Sequence, residues 1–200
     1  MPRQRQRRPR REEVVEELLE AAARVFARRG YAGASVEQIS EDAGYSTGAL
    51  YSNFKSKEEL FLRLFETRNE RRRHELRATV AEAGGGLEGL AAAAANLSAT
   101  LESEHEWFLL YLEFALRAAR DQEFAQHFKA RREDALRALA AGITDALGHA
   151  GVSASLEARD LARSVRAISH GFALERALSE SRGSDPLPGE VMRLAFRAST

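Results

Sequence analysis

The chain contains no cysteine among its 200 residues, and its apolar runs are short. The missing thiols exclude disulfides, thiolate metal ligands and cysteine nucleophiles. The longest strongly apolar stretch, residues 107–116, is interrupted by Glu113, whereas a helix that crosses a bilayer needs roughly 20 apolar residues. The arginine-rich start lacks a following apolar segment, so it does not resemble a secretory signal. These absences predict a cytoplasmic protein without membrane contact.

The sequence also lacks the patterns of common catalytic and cofactor sites. Its histidines never stand in a His-x-x-x-His or His-Glu-x-x-His spacing, so no helical face presents paired metal ligands. No glycine-rich phosphate loop and no Gly-x-Ser-x-Gly turn occurs, and no strand pattern is present to hold one. We therefore expect no enzyme activity, no metal and no cofactor.

The formal net charge is zero, but the charges are unevenly distributed. Residues 1–57 hold 11 basic and 8 acidic side chains, and the first eleven residues contain six arginines and no acid. Guanidinium groups are not buried unpaired, so this segment either stays solvated or follows nucleic-acid phosphates. We predict a basic flexible arm over residues 1–11. Its candidate DNA-contacting residues are Arg5, Arg7, Arg8, Arg10 and Arg11.

Helical periodicity prevails along the chain that follows. Apolar residues at positions 15–26 recur at intervals of three and four, which predicts a first helix over residues 11–29 that Gly30 ends. Ser35 and Gln38 then form a capping box, in which each side chain bonds the other's backbone amide. This pair predicts the start of a short second helix.

A glycine turn joins the second helix to a third. Gly44 suits a left-handed backbone conformation, and the residues after it predict a helix to about residue 54. Ser56 and Glu59 form another capping box, which opens a fourth helix to about residue 82. Two short helices that meet at a glycine turn predict a helix-turn-helix, whose second helix lies in the major groove of DNA.

The third helix has an apolar side and a polar side. Leu50 and Phe54 lie four residues apart, so we expect them to pack inward. Lys57 and the amides at the start of the fourth helix form a candidate anion site. The alternative is a helical hairpin with a merely polar surface. The residues expected to face outward are Thr47, Gly48, Tyr51, Ser52 and Asn53.

The stretch SVEQISEDAGYSTGALYSNFKSKEEL, residues 35–60, resembles the DNA-binding signature of the TetR/AcrR family of transcriptional regulators. The resemblance covers roughly residues 12–62 and includes FARRG at residues 26–30 and GALYSNF at residues 48–54. It implies a dimeric, all-helical protein with an amino-terminal three-helix domain that binds operator DNA. It also implies a larger helical domain that binds a small molecule.

The resemblance assigns roles to individual residues, with some departures. Glu37 stands where some relatives have a basic residue that contacts DNA, and its acidity argues against a base contact there. Tyr45 replaces a smaller aliphatic residue, and Ser40 replaces the usual alanine. The implied phosphate contacts are Ser35, Tyr51, Asn53 and Lys57, and the implied base-edge contacts are Thr47, Gly48 and Ser52.

The glycines at 84–86 predict a break after the fourth helix. We place the DNA-binding domain at residues 12–57 and the ligand-binding and dimerisation domain at residues 58–200. Ser103 and Glu106 predict a capping box before an aromatic stripe on the next helix, which is either core or the wall of a ligand pocket. The candidate pocket residues are Trp107, Tyr111, Glu113, Phe114, His127, Phe128 and His170.

The carboxyl-terminal helices have apolar stripes that suit a contact between two subunits. Asp121 predicts the start of a helix to about residue 148, another spans about residues 156–179, and residues 191–196 predict a last one. Such stripes fit either a symmetric four-helix dimer contact or the core of one chain. Two-fold binding of DNA half-sites favours the dimer. The candidate interface residues are Leu161, Val165, Ile168 and Phe172.

The sequence therefore predicts an all-α protein of about nine helices that acts as a homodimeric, sequence-specific transcriptional regulator. We expect a repressor that a small apolar or amphipathic molecule releases from a palindromic DNA operator. The alternative is a helical protein-interaction scaffold with non-specific nucleic-acid contact. Weak retention on DNA of any sequence would favour the scaffold.

Overall fold

The computed structural model is all-helical over the residues it describes, which are 10–151, 153, 155–179, 187, 190, 191 and 194. This confirms the predicted fold class, and the predicted helix at 191–196 lies largely outside the described residues. None of the described helices is both long enough and apolar enough to span a membrane. Within the described residues, up to residue 179, eight helices form: α1 (Arg11–Gly33), α2 (Val36–Asp42), α3 (Thr47–Tyr51), α4 (Lys57–Glu82), α5 (Gly86–Ser103), α6 (His105–Arg120), α7 (Gln122–Ala150) and α8 (Ala158–Leu178).

The chain forms two compact units, Met1–Glu66 and Thr67–Thr200. The first contains α1, α2, α3 and the beginning of α4. The second contains the remainder of α4 together with α5 to α8. The helix α4 is therefore a single element that contributes residues to both units. The predicted domain bounds of 12–57 and 58–200 stay predictions.

Aromatic rings fill the interior of the first unit. Phe26 stacks on Tyr31 with the ring centroids 5.7 Å apart, and Phe61 of α4 meets Phe26 at 5.9 Å and Tyr31 at 5.7 Å. Leu50 and Phe54 are buried, as their spacing predicted. Full burial of one such apolar side chain stabilises the fold by roughly 1.5–3 kcal/mol. The ring contacts join α1 to the start of α4, and α3 contributes the buried Leu50 and packs on α2.

Local sequence signals set the ends of the first three helices. The Ser35 side chain accepts the Gln38 amide at 3.2 Å, and the Gln38 side chain accepts the Ser35 amide at 3.1 Å, so the predicted capping box is confirmed. Gly44 has φ of 74°, the left-handed conformation expected of the turn. Ser46 caps α3 by accepting the Ala49 amide at 3.1 Å. The third helix ends at Tyr51, earlier than predicted.

The helices α5, α7 and α8 of the second unit share an apolar core. Leu161 and Val165 are buried in it, and Ile168 packs against it. Three candidate dimer residues thus contribute to the core of the chain itself, the alternative that the sequence left open. Phe172 is half-buried, and the predicted interface stays a prediction. The buried residues of the cluster are Leu90, Ala94, Leu136, Ile143, Ala146, Leu147, Leu161, Ala162 and Val165.

The junction of α5 and α6 differs from its prediction. The capping box at Ser103 and Glu106 is wrong, because Ser103 is the last residue of α5 and Glu104 precedes α6 without a side-chain cap. The Glu104 carboxylate instead accepts hydrogen bonds from Arg68 and Arg72 of α4, both at 3.1 Å. The sequence pattern could not reveal these partners, since they lie more than 30 residues away. At the next junction the prediction is confirmed, because Asp121 caps α7.

Candidate nucleic-acid interface and a cavity in the second unit

The exposed side of α3 is polar and carries no formal charge. Tyr51 has 51% of its surface exposed, Gly48 and Ser52 are exposed, and Thr47 is half-buried. A Cβ atom built on Gly48 would lie 3.8 Å from the Ser46 hydroxyl oxygen, which is ordinary van der Waals contact. The packing of the protein itself therefore does not require glycine at this position. A backbone that approaches another molecule closely would require it.

Asn53 and Ser52 complete the carboxyl end of α3. The Asn53 amide group donates to the Ala49 carbonyl at 2.9 Å, and the Ser52 hydroxyl donates to the same oxygen at 2.7 Å. Asn53 also accepts a hydrogen bond from the Arg11 guanidinium at 3.1 Å. These bonds give both residues a local structural role. Their predicted DNA contacts remain predictions.

Lys57 is bound by the end of α1. Its ammonium group donates to the carbonyl oxygens of Tyr31 and Ala34 at 2.8 and 2.9 Å and lies 4.5 Å from the centre of the Tyr31 ring. A cation at the end of a helix satisfies carbonyls that have no partner within the helix. The sequence predicted a phosphate contact here and missed this role, because the carbonyls are brought to Lys57 by the tertiary fold.

The start of α2 carries Ser35, to which the resemblance assigns a phosphate contact, and Glu37, whose acidity argues against a base contact. Ser35 uses its hydroxyl for the cap of α2, and Glu37 in the first turn is exposed. Its own backbone amide, and then the Ser35 hydroxyl, lower the pKa of Glu37. The carboxylate therefore stays ionised below its ordinary pKa. Ser40, where alanine is usual, is buried and donates to the Val36 carbonyl at 2.9 Å, so its hydroxyl is satisfied.

Tyr45 ties the turn before α3 to α1. Its hydroxyl donates to the Glu17 carboxylate at 2.6 Å, and this bond is the main cause that raises the pKa of Tyr45. The larger side chain thus has a partner that a small aliphatic residue would lack. At the end of α2, Arg28 and Arg24 bind the Asp42 carboxylate at 2.6 and 2.8 Å and lower its pKa.

The basic arm is described only where it joins α1. Arg10 precedes the helix, its backbone amide donates to Glu13 at 2.7 Å, and Arg11 begins α1 with its side chain on Asn53. The described part of the arm thus starts beside the end of α3. The candidate residues Arg5, Arg7 and Arg8 lie outside the described residues.

The second unit contains a cavity of about 530 Å³ between α4, α5, α7 and α8. This volume lies in the range of small-molecule sites, which is about 300–1,000 Å³. Small residues on three helices create the space, among them Ala81, Ala93, Ala94, Ala138 and Gly142. A Cβ atom built on Gly142 would have no neighbour within 4 Å. The alanine-rich run of α5 contributes Ala93 and Ala94 to the wall of this open space.

The polar part of the cavity lining comes from two helices. Arg73 and Arg77 lie one turn apart on α4, and Asp145 and His149 lie one turn apart on α7. His149 is itself bonded, with its Nδ1 atom 2.6 Å from the Asp145 carbonyl oxygen. Apolar side chains make up most of the remaining wall. The full lining is Arg73, Leu76, Arg77, Val80, Ala81, Gly84, Gly85, Leu90, Ala93, Ala94, Leu97, Ala138, Leu139, Gly142, Ile143, Asp145, Ala146, His149 and Val165.

None of the seven candidate pocket residues lines this cavity, so their assignment stays a prediction. The rings of Tyr111, Phe114 and Phe128 are buried, and Phe128 contacts the other two. Glu113 and His127 are exposed, and the Arg68 guanidinium lies 4.5 Å from the centre of the Trp107 ring. Burial, and then the charges of Arg166 and Arg132, lower the pKa of His170 to about 4. His170 is therefore neutral at physiological pH. The seven residues are Trp107, Tyr111, Glu113, Phe114, His127, Phe128 and His170.

Comparison with known proteins identifies the first unit. Residues 18–64 match the bacterial regulatory proteins of the tetR family. The chain is 49% identical over 49 residues to the HTH-type transcriptional repressor AcnR of Corynebacterium diphtheriae, which covers 24% of this chain and 26% of AcnR. Residues 18–64 are therefore a helix-turn-helix segment of the TetR family. Proteins of this family are transcriptional regulators and not enzymes, as the sequence predicted.

Two further comparisons extend beyond the first unit. The chain is 30% identical over 131 residues to the HTH-type transcriptional repressor Rv1474c of Mycobacterium tuberculosis, which covers 66% of this chain and 63% of that repressor. Its fold resembles the transcriptional regulator FadR of Bacillus subtilis, solved in complex with stearoyl-CoA, with a TM-score of 0.73 and 18% identity over 92% of this chain and 98% of FadR. The chain thus spans about a quarter of AcnR and under two thirds of Rv1474c, and the FadR likeness concerns the fold.

Proposed function

We propose that this TetR-family chain is a homodimeric, sequence-specific repressor whose affinity for a palindromic operator is lowered by a small molecule. The observation that carries the proposal is the face of α3, where Gly48, Tyr51 and Ser52 are exposed on a helix fixed from behind by Leu50 and Phe54. Its hydrogen-bonding groups and its lack of bulk at Gly48 suit a major groove. Repressors among the relatives support the sign of regulation.

Residues around α3 supply the proposed phosphate contacts. Tyr51 presents an exposed hydroxyl at the end of the helix, and Arg10 and Arg11 lie at the start of α1, next to Asn53. Contacts with phosphates position a protein on DNA without reading its sequence. We therefore assign sequence reading to Thr47, Gly48 and Ser52.

A second copy of the chain is the proposed partner on the outer face of α8. Five residues at alternating intervals of three and four are exposed there, with small side chains in the middle and two leucines toward the end. A face of this kind suits a two-fold contact in which the same patch serves both subunits. It differs from the earlier prediction, whose residues Leu161, Val165 and Ile168 contribute to the core of the chain itself. The five residues are Ser164, Ala167, Gly171, Leu174 and Leu178.

We assign the coupling between ligand and DNA to α4. One side of it, made of Arg73, Leu76, Arg77, Val80 and Ala81, lines the cavity of the second unit. Its first residues belong to the first unit. A ligand that favours one placement of α4 shifts operator affinity only by its own preference between the two states, typically about 1–3 kcal/mol. The complex of FadR with stearoyl-CoA supports a small-molecule effector.

The test is the selection of bound sequences from a random duplex library by the purified protein. A palindromic motif with half-sites about 34–36 Å apart, or a multiple of that distance, is the expected result. No enriched motif would contradict the proposal and favour the scaffold with non-specific nucleic-acid contact.

Two substitutions distinguish, in the same assay, a phosphate contact that positions the protein on DNA from a contact that reads a base. Tyr51→Phe removes one hydroxyl, so it should weaken binding to all sequences about equally, by about 0.5–1.5 kcal/mol. Thr47→Ala should instead change the preferred base at one position of each half-site. A Tyr51→Phe effect confined to one operator variant would contradict the assignment.

A further inference from the structure

The polar lining of the cavity carries more positive than negative charge. Arg77 is exposed at the rim and has no ion pair or hydrogen bond among the residues described here. The nearest carboxylate to Arg73 is that of Glu70, at 3.8 Å. The single carboxylate of the lining belongs to Asp145. Two arginines one turn apart on α4 thus line a largely apolar space whose lining holds one carboxylate, and Glu70, outside the lining, is the ion-pair partner of Arg73.

We propose that the molecule bound in this cavity is an amphipathic anion, with its apolar body against the small residues and its acidic group on Arg73 and Arg77. The inference rests on the proposed function, since it names the ligand class of the effector site. Arginine donates two parallel hydrogen bonds to a carboxylate or a phosphate, so the pair recognises the charge that both groups share.

The alternatives fit the lining less well. A neutral apolar ligand would leave Arg77 without an acidic partner among the described residues and Arg73 with Glu70 alone, at 3.8 Å. A cationic ligand would place its charge beside both arginines. Asp145 lies on α7, on the other wall from the arginines, so it offers a single acceptor to a hydroxyl or ammonium group. The charge balance therefore favours the anion.

The structure also offers a position from which a larger side chain can enter the cavity. A side chain at Gly142 would enter open space, and its φ is not in the left-handed region. Gly148 stands on the same helix, is exposed and has equally open space around a built Cβ atom, but does not line the cavity. Gly142→Phe and Gly148→Phe are therefore a matched pair of blocked and control variants.

The experiment is isothermal titration calorimetry of the full chain with ten-carbon amphiphiles that differ only in the head group. Decanoate and decyl phosphate carry the acid, decanol is neutral, and decylammonium is cationic. We expect at least one acid to bind at least about tenfold more tightly than decanol, because charge-assisted hydrogen bonds are stronger than neutral ones. Which acid binds more tightly identifies the preferred head group.

Variants locate the interaction. Arg73→Met with Arg77→Met keeps the apolar stems and should remove the preference for the acids while decanol still binds. Gly142→Phe should abolish binding of all four probes, and Gly148→Phe should leave it unchanged.

Three results would overturn the inference. If decanol binds as tightly as both acids, the cavity does not distinguish an acidic head group from a neutral one. Decylammonium as the tightest ligand would assign recognition to Asp145. If no probe binds, or if the Gly142→Phe variant binds the probes as tightly as the unsubstituted chain, this cavity is not the ligand site. The library selection decides the proposed function separately, since an enriched operator together with any of these results leaves the regulator intact.

Discussion

The two units of the chain differ in how they use their interiors. In the first unit, the rings of Phe26, Tyr31 and Phe61 pack against one another in the interior, whereas in the second unit alanines and glycines leave about 530 Å³ open. The segment that matches the TetR family, residues 18–64, lies in the filled unit. A helix that reads DNA must be held in one position, and dense packing provides this. A cavity requires only that its lining residues be small, so many sequences can form one.

The largest expected effect tests the filled interior. Phe61→Ala removes a fully buried ring that contacts Phe26 and Tyr31, so we expect a loss of about 3–5 kcal/mol of unfolding free energy. Leu97→Ala, in the half-buried cavity wall, should cost only roughly 1–2 kcal/mol, because its side chain already borders open space. Urea unfolding followed by circular dichroism measures both. Equal losses would contradict the contrast between the two interiors.

Lys57→Met tests whether the first unit relies on its cation for structure or for DNA. The substitution removes the bonds to the Tyr31 and Ala34 carbonyls, so we expect a loss of about 1.5–3 kcal/mol of stability. If Lys57 also contacts a phosphate, the substitution should make the negative slope of log K against log salt shallower by about 0.9. Unfolding and salt-dependent operator binding of the same variant separate the two roles. An unchanged slope would remove Lys57 from the predicted DNA contacts.

Sequence reasoning succeeded where the signal is local. The capping box of Ser35 and Gln38 and the turn at Gly44 depend on neighbouring residues, and both are confirmed. The carbonyl partners of Lys57 come from 26 and 23 residues away, so no local pattern contains them. Likewise, the alanines of α5 indicate a helix with small side chains, but whether that surface packs closely or borders a cavity depends on which helices face it.

Substitutions of two glycines, one in each unit, allow a direct comparison of the units. Gly48 of α3 and Gly142 of α7 both lie in helices with room for a Cβ atom, so replacement by alanine should stabilise the chain by about 0.5–1 kcal/mol in each case. Only Gly48→Ala should weaken operator binding, because its methyl group would meet the groove. Thermal unfolding and fluorescence anisotropy with operator DNA measure the two effects.

The pair also has an outcome that contradicts the interface. If Gly48→Ala binds the operator as tightly as the parent while it gains stability, the backbone of α3 does not approach DNA closely at this point. If Gly142→Ala weakens operator binding equally, the loss reflects a general effect of helix stiffening and not a contact at Gly48.

The smallest expected effect concerns a charge in the filled unit. Glu37→Gln removes an exposed carboxylate from the first turn of α2, so repulsion from phosphates falls and operator affinity should rise severalfold at low salt. Because its pKa is lowered, Glu37 remains ionised as the pH falls, and the gain should persist between about pH 8 and pH 5. Glu106→Gln changes the net charge equally from an exposed position in α6 and should leave affinity nearly unchanged. The same gain from both variants would mean that operator affinity responds to total charge, and α2 would then lie away from the DNA backbone.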